Sequence, residues 1–241
     1  MKHFTLGIIL AIAAMAQQER PAGLTVHTWV REDIFAGWMV NDMARHMNGV
    51  AKLNKILEAK PDDAVALSWL GGSYLYRAAV AHEAGKSADF DRYYAEAIKA
   101  IDRANELAPR DAGVLSVTGG SFGLFADRLP ADKKADGWKR SRTAYAALHK
   151  EQQQFADQLP LHMKGELLAG NAMAAQRVGD TEESQKYLTK IVKDLAGSPY
   201  AARAQRWMDQ PEVASKSSLL CQTCHEPGRL EARLAAMKKQ Q

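Results

Sequence analysis

The sequence predicts an all-α protein of stacked helical hairpins that ends in a short tail of different character. From Asp33 to about Trp207, apolar residues recur at spacings of three and four, as on one face of a helix, and no long alternating run typical of a strand interrupts them. The chain also repeats itself, because the residue types of 61–74 return in register at 109–122, 48 residues later. A hydrophobic content of 46% and a charged content of 25% are those of an ordinary globular protein.

The repeated stretch places small residues between large apolar ones. Its two copies share a proline, an aspartate, an alanine, a leucine, two serines, two glycines and an aromatic residue. These stretches resemble tetratricopeptide repeats (TPRs), which are helix–turn–helix units of about 34 residues. Leu67, Leu70, Gly71 and Tyr74 match the first-helix pattern of that family, and 96–109 matches its second-helix pattern. The resemblance implies an α-solenoid whose concave surface binds another protein or a peptide.

The spacing of the two copies is longer than the usual repeat of that family. The surplus falls near 78–94, so we expect a longer first helix there, with Gly85 in or near the turn. Gly71 and its counterpart Gly119 are small enough to let paired helices approach closely, and we expect both at helix contacts. A helical bundle without repeats is the alternative arrangement.

Turn and cap signals predict the helices outside the two copies of the repeated stretch. These helices cover Asp33 to about Met43, Met47 to Ala59, Leu161 to Arg177, Glu182 to Leu195 and Tyr200 to Met208. Asp33 is a suitable N-cap for the first of them. Within the third unit, 111–159, the helices should break before Pro130, and the unit should end before Pro160, because the residue preceding a proline disfavours helical conformation. The whole repeat region is therefore expected to span 33–208.

Residues 1–16 have the pattern of a signal peptide. Lys2 gives a basic start, Phe4 to Ala13 is almost entirely apolar, and Ala14-Met15-Ala16 is the small-x-small pattern of a cleavage site. The apolar run is too short for a stable membrane span. We expect a periplasmic or secreted protein that begins at Gln17, with a segment 17–32 before the repeats. A membrane-retained form with an uncleaved segment is the alternative.

Charge and motif content argue against several classes of protein. The net charge is +4 at pH 7 and falls by one when Lys2 leaves with the signal, which is too little for nucleic-acid binding. His82 and Glu83 lack the second histidine of a zinc-protease helix, and no Gly-rich phosphate loop, Gly-x-Ser-x-Gly turn or paired-carboxylate signature occurs. The sequence predicts no catalytic residue and favours a carrier or binding protein over an enzyme.

Beyond Met208 the composition changes. Pro211 breaks the helical pattern, and 209–220 has the polar composition of a linker. The last segment, 221–241, opens with the five residues Cys221-Gln222-Thr223-Cys224-His225, the attachment signature of a c-type haem.

Each part of this motif has a chemical role. Thiols spaced by two residues can reach the two vinyl groups of one porphyrin and form thioethers, and the adjacent imidazole is then held under the iron. Cys221 and Cys224 are the only cysteines of the chain. An exported chain also reaches the compartment in which such attachment takes place. We therefore expect one covalent haem c, with Cys221 and Cys224 as its thioether attachments and His225 as the proximal iron ligand.

Other interpretations of the cysteine pair remain open. Cys221 and Cys224 could form a local disulfide, act as a redox dithiol or contribute to a zinc site. A zinc site would want a fourth ligand, and a thioredoxin-like dithiol would want a strand–helix unit, and the sequence predicts neither. The leading function is electron transfer, or redox-linked interaction with a protein partner. Its rival is a periplasmic scaffold with a Cys221–Cys224 disulfide, and a peroxidase-like enzyme with an open iron position ranks third.

The sixth position of the iron has several candidate ligands. Met237 shares an apolar face with Leu230 and Leu234, and the eleven residues between His225 and Met237 suffice for a turn and a short helix. The other candidates are His27, His46, His82, His149 and His162. A position that is unoccupied, or filled by a partner, is the further alternative. The likeness to cytochrome c is confined to the five motif residues. The protein surface that encloses a haem must therefore come from the helical repeats or from a partner protein.

Overall fold

The computed structural model describes Arg20, residues 23–214 and residues 216–220. The described chain contains ten α-helices, two 3-10 turns and no strand, which confirms the predicted all-α class. The helices are α1 (Val26–Val40), α2 (Met43–Ala59), α3 (Ala64–Glu83), α4 (Ser87–Leu107), α5 (Ala112–Phe125), α6 (Ala131–Gln152), α7 (Leu161–Arg177), α8 (Thr181–Asp194), α9 (Pro199–Asp209) and α10 (Pro211–Ala214). The 3-10 turns are Ala126–Arg128 and Gln153–Gln158. The predicted signal peptide, 1–16, lies outside the described residues.

Consecutive helices pack in pairs. Helix α1 packs on α2, α3 on α4, α5 on α6 and α7 on α8, and α9 then packs on α8. The first helix of each pair also contacts the first helix of the next pair, from α1 through α3 and α5 to α7. We call these four the first helices. They form a continuous row, and their C-terminal ends lie along one edge of the stack.

Helix α1 begins earlier than the sequence predicted. The Thr25 hydroxyl accepts a hydrogen bond from the Thr28 backbone N–H at 3.1 Å, so Thr25 is the N-cap of a helix that starts at Val26. The predicted cap, Asp33, is wrong. Its carboxylate lies inside α1 and forms ion pairs with Arg45 and Lys52 of α2, each at 2.7 Å. These pairs join the two helices of the first hairpin.

The internal repeat appears in three dimensions as equivalent caps. Asp63 accepts a hydrogen bond from the Ala66 N–H at 3.0 Å, and Asp111 accepts one from the Val114 N–H at 2.9 Å. Each aspartate satisfies a backbone donor that the first turn of its helix leaves unpaired. The two copies of the repeat therefore start α3 and α5 in the same way.

An ion pair is also repeated, with its charges exchanged. Before α3, Asp62 accepts from Arg103 of α4 at 2.8 Å. Before α5, Arg110 donates to Glu151 at the end of α6 at 2.9 Å. Both members of the second pair lie 48 positions after their counterparts. Each pair therefore links the same two places in its own hairpin, with the opposite polarity.

The predicted glycine contacts are present. A Cβ atom at Gly71 would lie 2.5 Å from Ile101 Cγ1 and 3.1 Å from the Ala97 carbonyl oxygen of α4. At Gly119 it would lie 2.9 Å from the Tyr145 ring of α6. The separations of 2.5 and 2.9 Å are shorter than two carbon atoms tolerate, so the hairpins close to this spacing only because these positions lack side chains.

Three large hydrophobic clusters, besides a small one around Ala36, fill the described part of the stack. The first joins α1, α2 and α3 around Trp69, and Trp29, Phe35 and Trp38 pack against it. The second lies between α3, α4 and the end of α5. The third fills the C-terminal half and includes Leu219 and Leu220. Among the helices described, none combines the length and apolarity that crossing a bilayer requires.

Candidate functional site

The predicted haem attachments Cys221 and Cys224, the predicted iron ligand His225 and the predicted distal ligand Met237 lie outside the described residues. The structure does describe Leu220, the residue directly before the motif. The surroundings of Leu220 therefore define the place at which the motif begins.

The residues leading to the motif pack into the protein core. We call residues 211–214 and 216–220 the strap. Leu219 and Leu220 are each only 1% exposed, and a Cβ atom at Gly123 would lie 2.7 Å from Leu220 Cδ1. The segment that the sequence predicts as a polar linker thus ends in two buried leucines. Burying a leucine stabilises a fold by about 1.5–3 kcal/mol, which is enough to hold the strap against α5 and α7.

Arg177, the last residue of α7, holds the backbone of the strap. Its guanidinium donates hydrogen bonds to the carbonyl oxygens of Ala214 and Ser217, the latter at 3.1 Å. It lies 5.5 Å from the Trp138 ring centre and 5.8 Å from that of Trp207. The side chain is only 10% exposed, so these partners compensate for taking its charge out of water. Nothing in the local sequence distinguishes Arg177 from other arginines near helix ends.

Asp127 supplies the counter-charge. Its carboxylate accepts from Arg177 at 3.2 Å and from the Trp138 indole N–H at 3.0 Å, and it pairs with Lys134 at 2.7 Å. Burial raises the pKa of Asp127, but the hydrogen bonds from Lys134 and Trp138 and the charge of Arg177 outweigh burial, so the pKa lies below its ordinary value. Asp127 is therefore an anion at neutral pH and links the strap to the turn after α5.

A cleft opens beside this turn, on the edge where the first helices end. We call it the edge cleft, and it has a volume of about 500 Å³. Its lining residues come from the ends of α1 and α3 and from the turn after α5: Gly37, Trp38, Met39, Val40, Asn41, Tyr76, Val80, Glu83, Ala84 and Arg128. Most of these side chains are apolar or aromatic, which is typical of small-molecule and cofactor sites.

Polar groups fix the walls of the edge cleft. Asn41 has a left-handed backbone with φ of 55°, and its side-chain oxygen accepts from the Tyr76 hydroxyl at 2.9 Å. Arg128 donates to both carboxylate oxygens of Glu83, at 2.7 and 2.8 Å. The hydrogen bond from Arg128 holds the pKa of Glu83 below its ordinary value. The indole N–H of Trp38 is buried without an acceptor among the described residues. The cleft thus has a largely apolar lining with the Arg128–Glu83 ion pair in its wall.

The five histidines predicted as distal ligands lie apart, on α1, α2, α3, α6 and α7. His27 packs against Trp69, His46 against Tyr76, His82 against Phe90, and the Nδ1 atoms of His149 and His162 lie 3.0 and 3.1 Å from the hydroxyls of Tyr187 and Tyr200. None of the five lines the edge cleft. Within the described ranges, no three His, Cys, Asp or Glu side chains are grouped to hold a metal ion.

His46 is expected to destabilise the folded protein as the pH falls from about 6.5 to about 4. It is fully buried beneath Gly37, with Nδ1 at 3.2 Å from the Ile34 carbonyl oxygen. Burial lowers its pKa from 6.5 to about 4, despite the hydrogen bond to Ile34. The unfolded chain therefore takes up the proton first, and acid removes roughly 2–3 kcal/mol of stability across this range. Urea melts at several pH values should show this slope.

The matched variant is His46→Gln, which retains an N–H donor but does not titrate. It should flatten the pH dependence between pH 6.5 and 4, even though its stability at pH 7 is lower. Parallel pH profiles for the variant and the parent protein would show that another group is responsible.

Comparison of the chain with protein-family models, with curated proteins and with solved structures finds no match. The motif, the strap and the edge cleft are therefore the features of this chain that bear on its function.

Proposed function

We propose that this chain is an exported, tetratricopeptide-like helical protein that carries one covalent haem c on its C-terminal tail. Its function is electron transfer, or redox-linked interaction with a protein partner. One observation carries the proposal: both cysteines of the chain stand in a Cys-x-x-Cys-His motif, directly after the buried residue Leu220. A motif placed for protein recognition alone would not need this set of two thiols and an imidazole.

The donor set fits covalent haem. The thiols of Cys221 and Cys224 each add across one vinyl group, sulfur to one carbon and hydrogen to the other, so that no atom is lost and no oxidant is consumed. The His225 imidazole is a suitable proximal ligand. When bound, haem supplies an iron that gains and loses one electron.

The strap has a mechanical role in this proposal. Arg177 and the two buried leucines fix the chain up to Leu220, so the motif starts from a rigid support and not from a flexible tether. A fixed support keeps the distance to a docked redox partner reproducible. Electron transfer and partner recognition then both depend on the helical part of the protein.

The row of first helices supports the proposed interaction with a protein partner. By resemblance to tetratricopeptide proteins, this row presents a concave surface for a protein or peptide. A redox protein is the partner class that fits a haem carrier. The weak net charge argues against nucleic acid as a partner.

Export to the periplasm or the medium is part of the proposal. The expected mature N-terminus is Gln17, because Ala14-Met15-Ala16 matches a signal-peptidase site. N-terminal sequencing of exported protein tests this directly. An exported product that still begins at Met1 would instead indicate a tethered form.

The decisive experiment is to express the chain with haem-maturation machinery and separate it on a denaturing gel. Thioether-linked haem should survive denaturation, stain on the gel and give a c-type pyridine haemochrome spectrum. The double variant Cys221→Ala/Cys224→Ala should lose the stain, and His225→Ala should alter the spectrum because the axial imidazole sets the spin state. A colourless parent protein whose mass is two hydrogen atoms below that of the dithiol would refute the haem proposal. It would indicate a scaffold with a Cys221–Cys224 disulfide.

A further inference from the structure

We propose that Arg203 of α9 is the centre of a binding site for a small oxyanion, a carboxylate or a phosphate, at the boundary between α9 and α7. This inference goes beyond the proposed haem function and does not depend on it. It rests on a guanidinium whose nitrogen atoms are buried without the negative charge that such a group needs.

The guanidinium of Arg203 lacks a hydrogen-bond acceptor. Its Nε and Nη2 atoms are both buried, and neither donates to an acceptor. In the described part of the chain, no carboxylate forms an ion pair with it. The remaining buried side-chain atoms without a partner among the described residues belong to neutral groups: Trp38, His46, Trp69, Ser121 and Ser184.

A buried guanidinium requires a partner of opposite charge. Arginine stays charged in proteins, and taking that charge out of water is costly unless an anion or several acceptors replace the water. The centre of the Tyr200 ring lies 5.2 Å from the guanidinium carbon of Arg203 and provides a cation–π contact. Such a contact offsets only part of the cost. The parallel N–H donors of a guanidinium match the oxygens of a carboxylate or a phosphate.

Arg177 shows how this fold compensates a buried guanidinium. The Asp127 carboxylate, two backbone carbonyl oxygens and two tryptophan rings surround it. Arg203 has the Tyr200 ring but no carboxylate among the described residues. The group that Arg203 lacks, in comparison with Arg177, is therefore an anion.

Contacts on either side of Arg203 place it at the boundary between α9 and α7. Tyr200, three residues earlier, packs on Gly165 of α7, where a Cβ atom would lie 2.4 Å from the ring. Trp207, four residues later, lies 5.8 Å from the guanidinium of Arg177 at the end of α7. Residues three and four apart share one side of a helix, so Arg203 lies on the same flank of α9. It is partly exposed, so an anion can approach it from solvent.

The polar groups next to Arg203 are engaged with one another. The Tyr200 hydroxyl donates to the Glu166 carboxylate at 2.7 Å and lies 3.1 Å from Nδ1 of His162. Glu166 is thus bonded through Tyr200 and forms no ion pair with Arg203. The N–H donors of Arg203 therefore remain available to a bound oxyanion.

The first test is thermal unfolding of the full chain in phosphate or in acetate, each exchanged for chloride at constant ionic strength. The preferred oxyanion, at ten times its Kd, should raise the Tm of the parent by about 3–6 °C. Arg203→Met should bind that oxyanion at least about tenfold more weakly in calorimetry and should lose the rise in Tm. Arg206→Met removes the same charge from an exposed position of the same helix, so it should respond as the parent does.

The second test measures stability by urea unfolding in chloride alone. Arg203→Met should be at least as stable as the parent, because it removes a buried charge without depriving a carboxylate of its partner. Arg203→Lys keeps the charge but lacks the two parallel donors. It should therefore bind the oxyanion more weakly than the parent. Circular dichroism verifies that the three variants fold.

Each outcome supports the site or overturns it. Stabilisation by phosphate or acetate that is lost in Arg203→Met and kept in Arg206→Met supports it, and the more effective probe identifies the class of oxyanion. Equal responses of the parent and Arg203→Met, or no response of the parent to either probe, would overturn it. A less stable Arg203→Met in chloride would show that Arg203 already has a partner within the protein, which also overturns it.

Discussion

Gly71→Leu is expected to cost about 3 kcal/mol of folding free energy or more, because it overpacks the contact between α3 and α4. Even a Cβ atom at this position would lie 2.5 Å from Ile101 Cγ1 and 3.1 Å from a backbone carbonyl oxygen. A side chain can rotate away, but the backbone of α4 cannot move without separating the hairpin. Urea unfolding followed by circular dichroism measures the loss.

Gly120→Ala is the matched control for this experiment. A Cβ atom at Gly120 would have its nearest neighbour, the Tyr145 hydroxyl, at an ordinary 3.6 Å. Alanine also has a higher helix propensity than glycine, so this variant should be neutral or more stable by up to about 1 kcal/mol. Equal stabilities for Gly71→Leu and the parent would show that α3 and α4 do not pack as described.

Arg177→Met is expected to release the strap and to cost about 3 kcal/mol, since it leaves two buried carbonyl oxygens without their donor and removes one of the three donors to Asp127. Methionine preserves most of the apolar contact with the two tryptophan rings, so the loss reports the guanidinium. Limited trypsin digestion should then cut the variant after Lys216. This residue is exposed, but in the parent the anchored strap resists the local unfolding that cleavage requires.

Arg140→Met serves as the control for Arg177. Arg140 pairs with Asp102 at 2.6 Å and with Asp136 at 2.8 Å, so it bonds to side chains and leaves the strap untouched. Its replacement should leave cleavage after Lys216 as slow as in the parent. If both arginine variants are cut at the same rate, Arg177 does not anchor the strap.

Local signals let the sequence predict many of the helix boundaries. Helix α7 covers Leu161–Arg177 as predicted, and the turn that follows uses Gly179 with φ of +83°. Proline restricts the backbone at its own position and glycine frees it, so the effects of both can be recognised from the sequence alone. Asp33 shows the limit of such signals. An aspartate can cap a helix or form an ion pair, and only the position of α2 decides between them.

The surroundings of the motif could not be predicted. Leu219 and Leu220 follow a polar stretch, and two leucines in such a context give no periodic signal. Gly123, which packs against Leu220, comes from a distant part of the chain. The edge cleft likewise draws on α1, α3 and the turn after α5, whose proximity depends on how the hairpins stack. A single sequence shows which residues have reactive or polar side chains, but the packing of the hairpins decides which of them come into contact.

The exchanged ion pairs of the two repeats bear on how the chain avoids assembling wrongly. Two hairpins of similar sequence could trade partners during folding, with α3 packing on α6 and α5 on α4. Such a trade would place Asp62 opposite Glu151 and Arg110 opposite Arg103, and each contact would bring together like charges. The correct partners instead meet opposite charges at 2.8 and 2.9 Å. An internal duplication with inverted charges thus gives each helix a means of discriminating its own partner from the copy next to it.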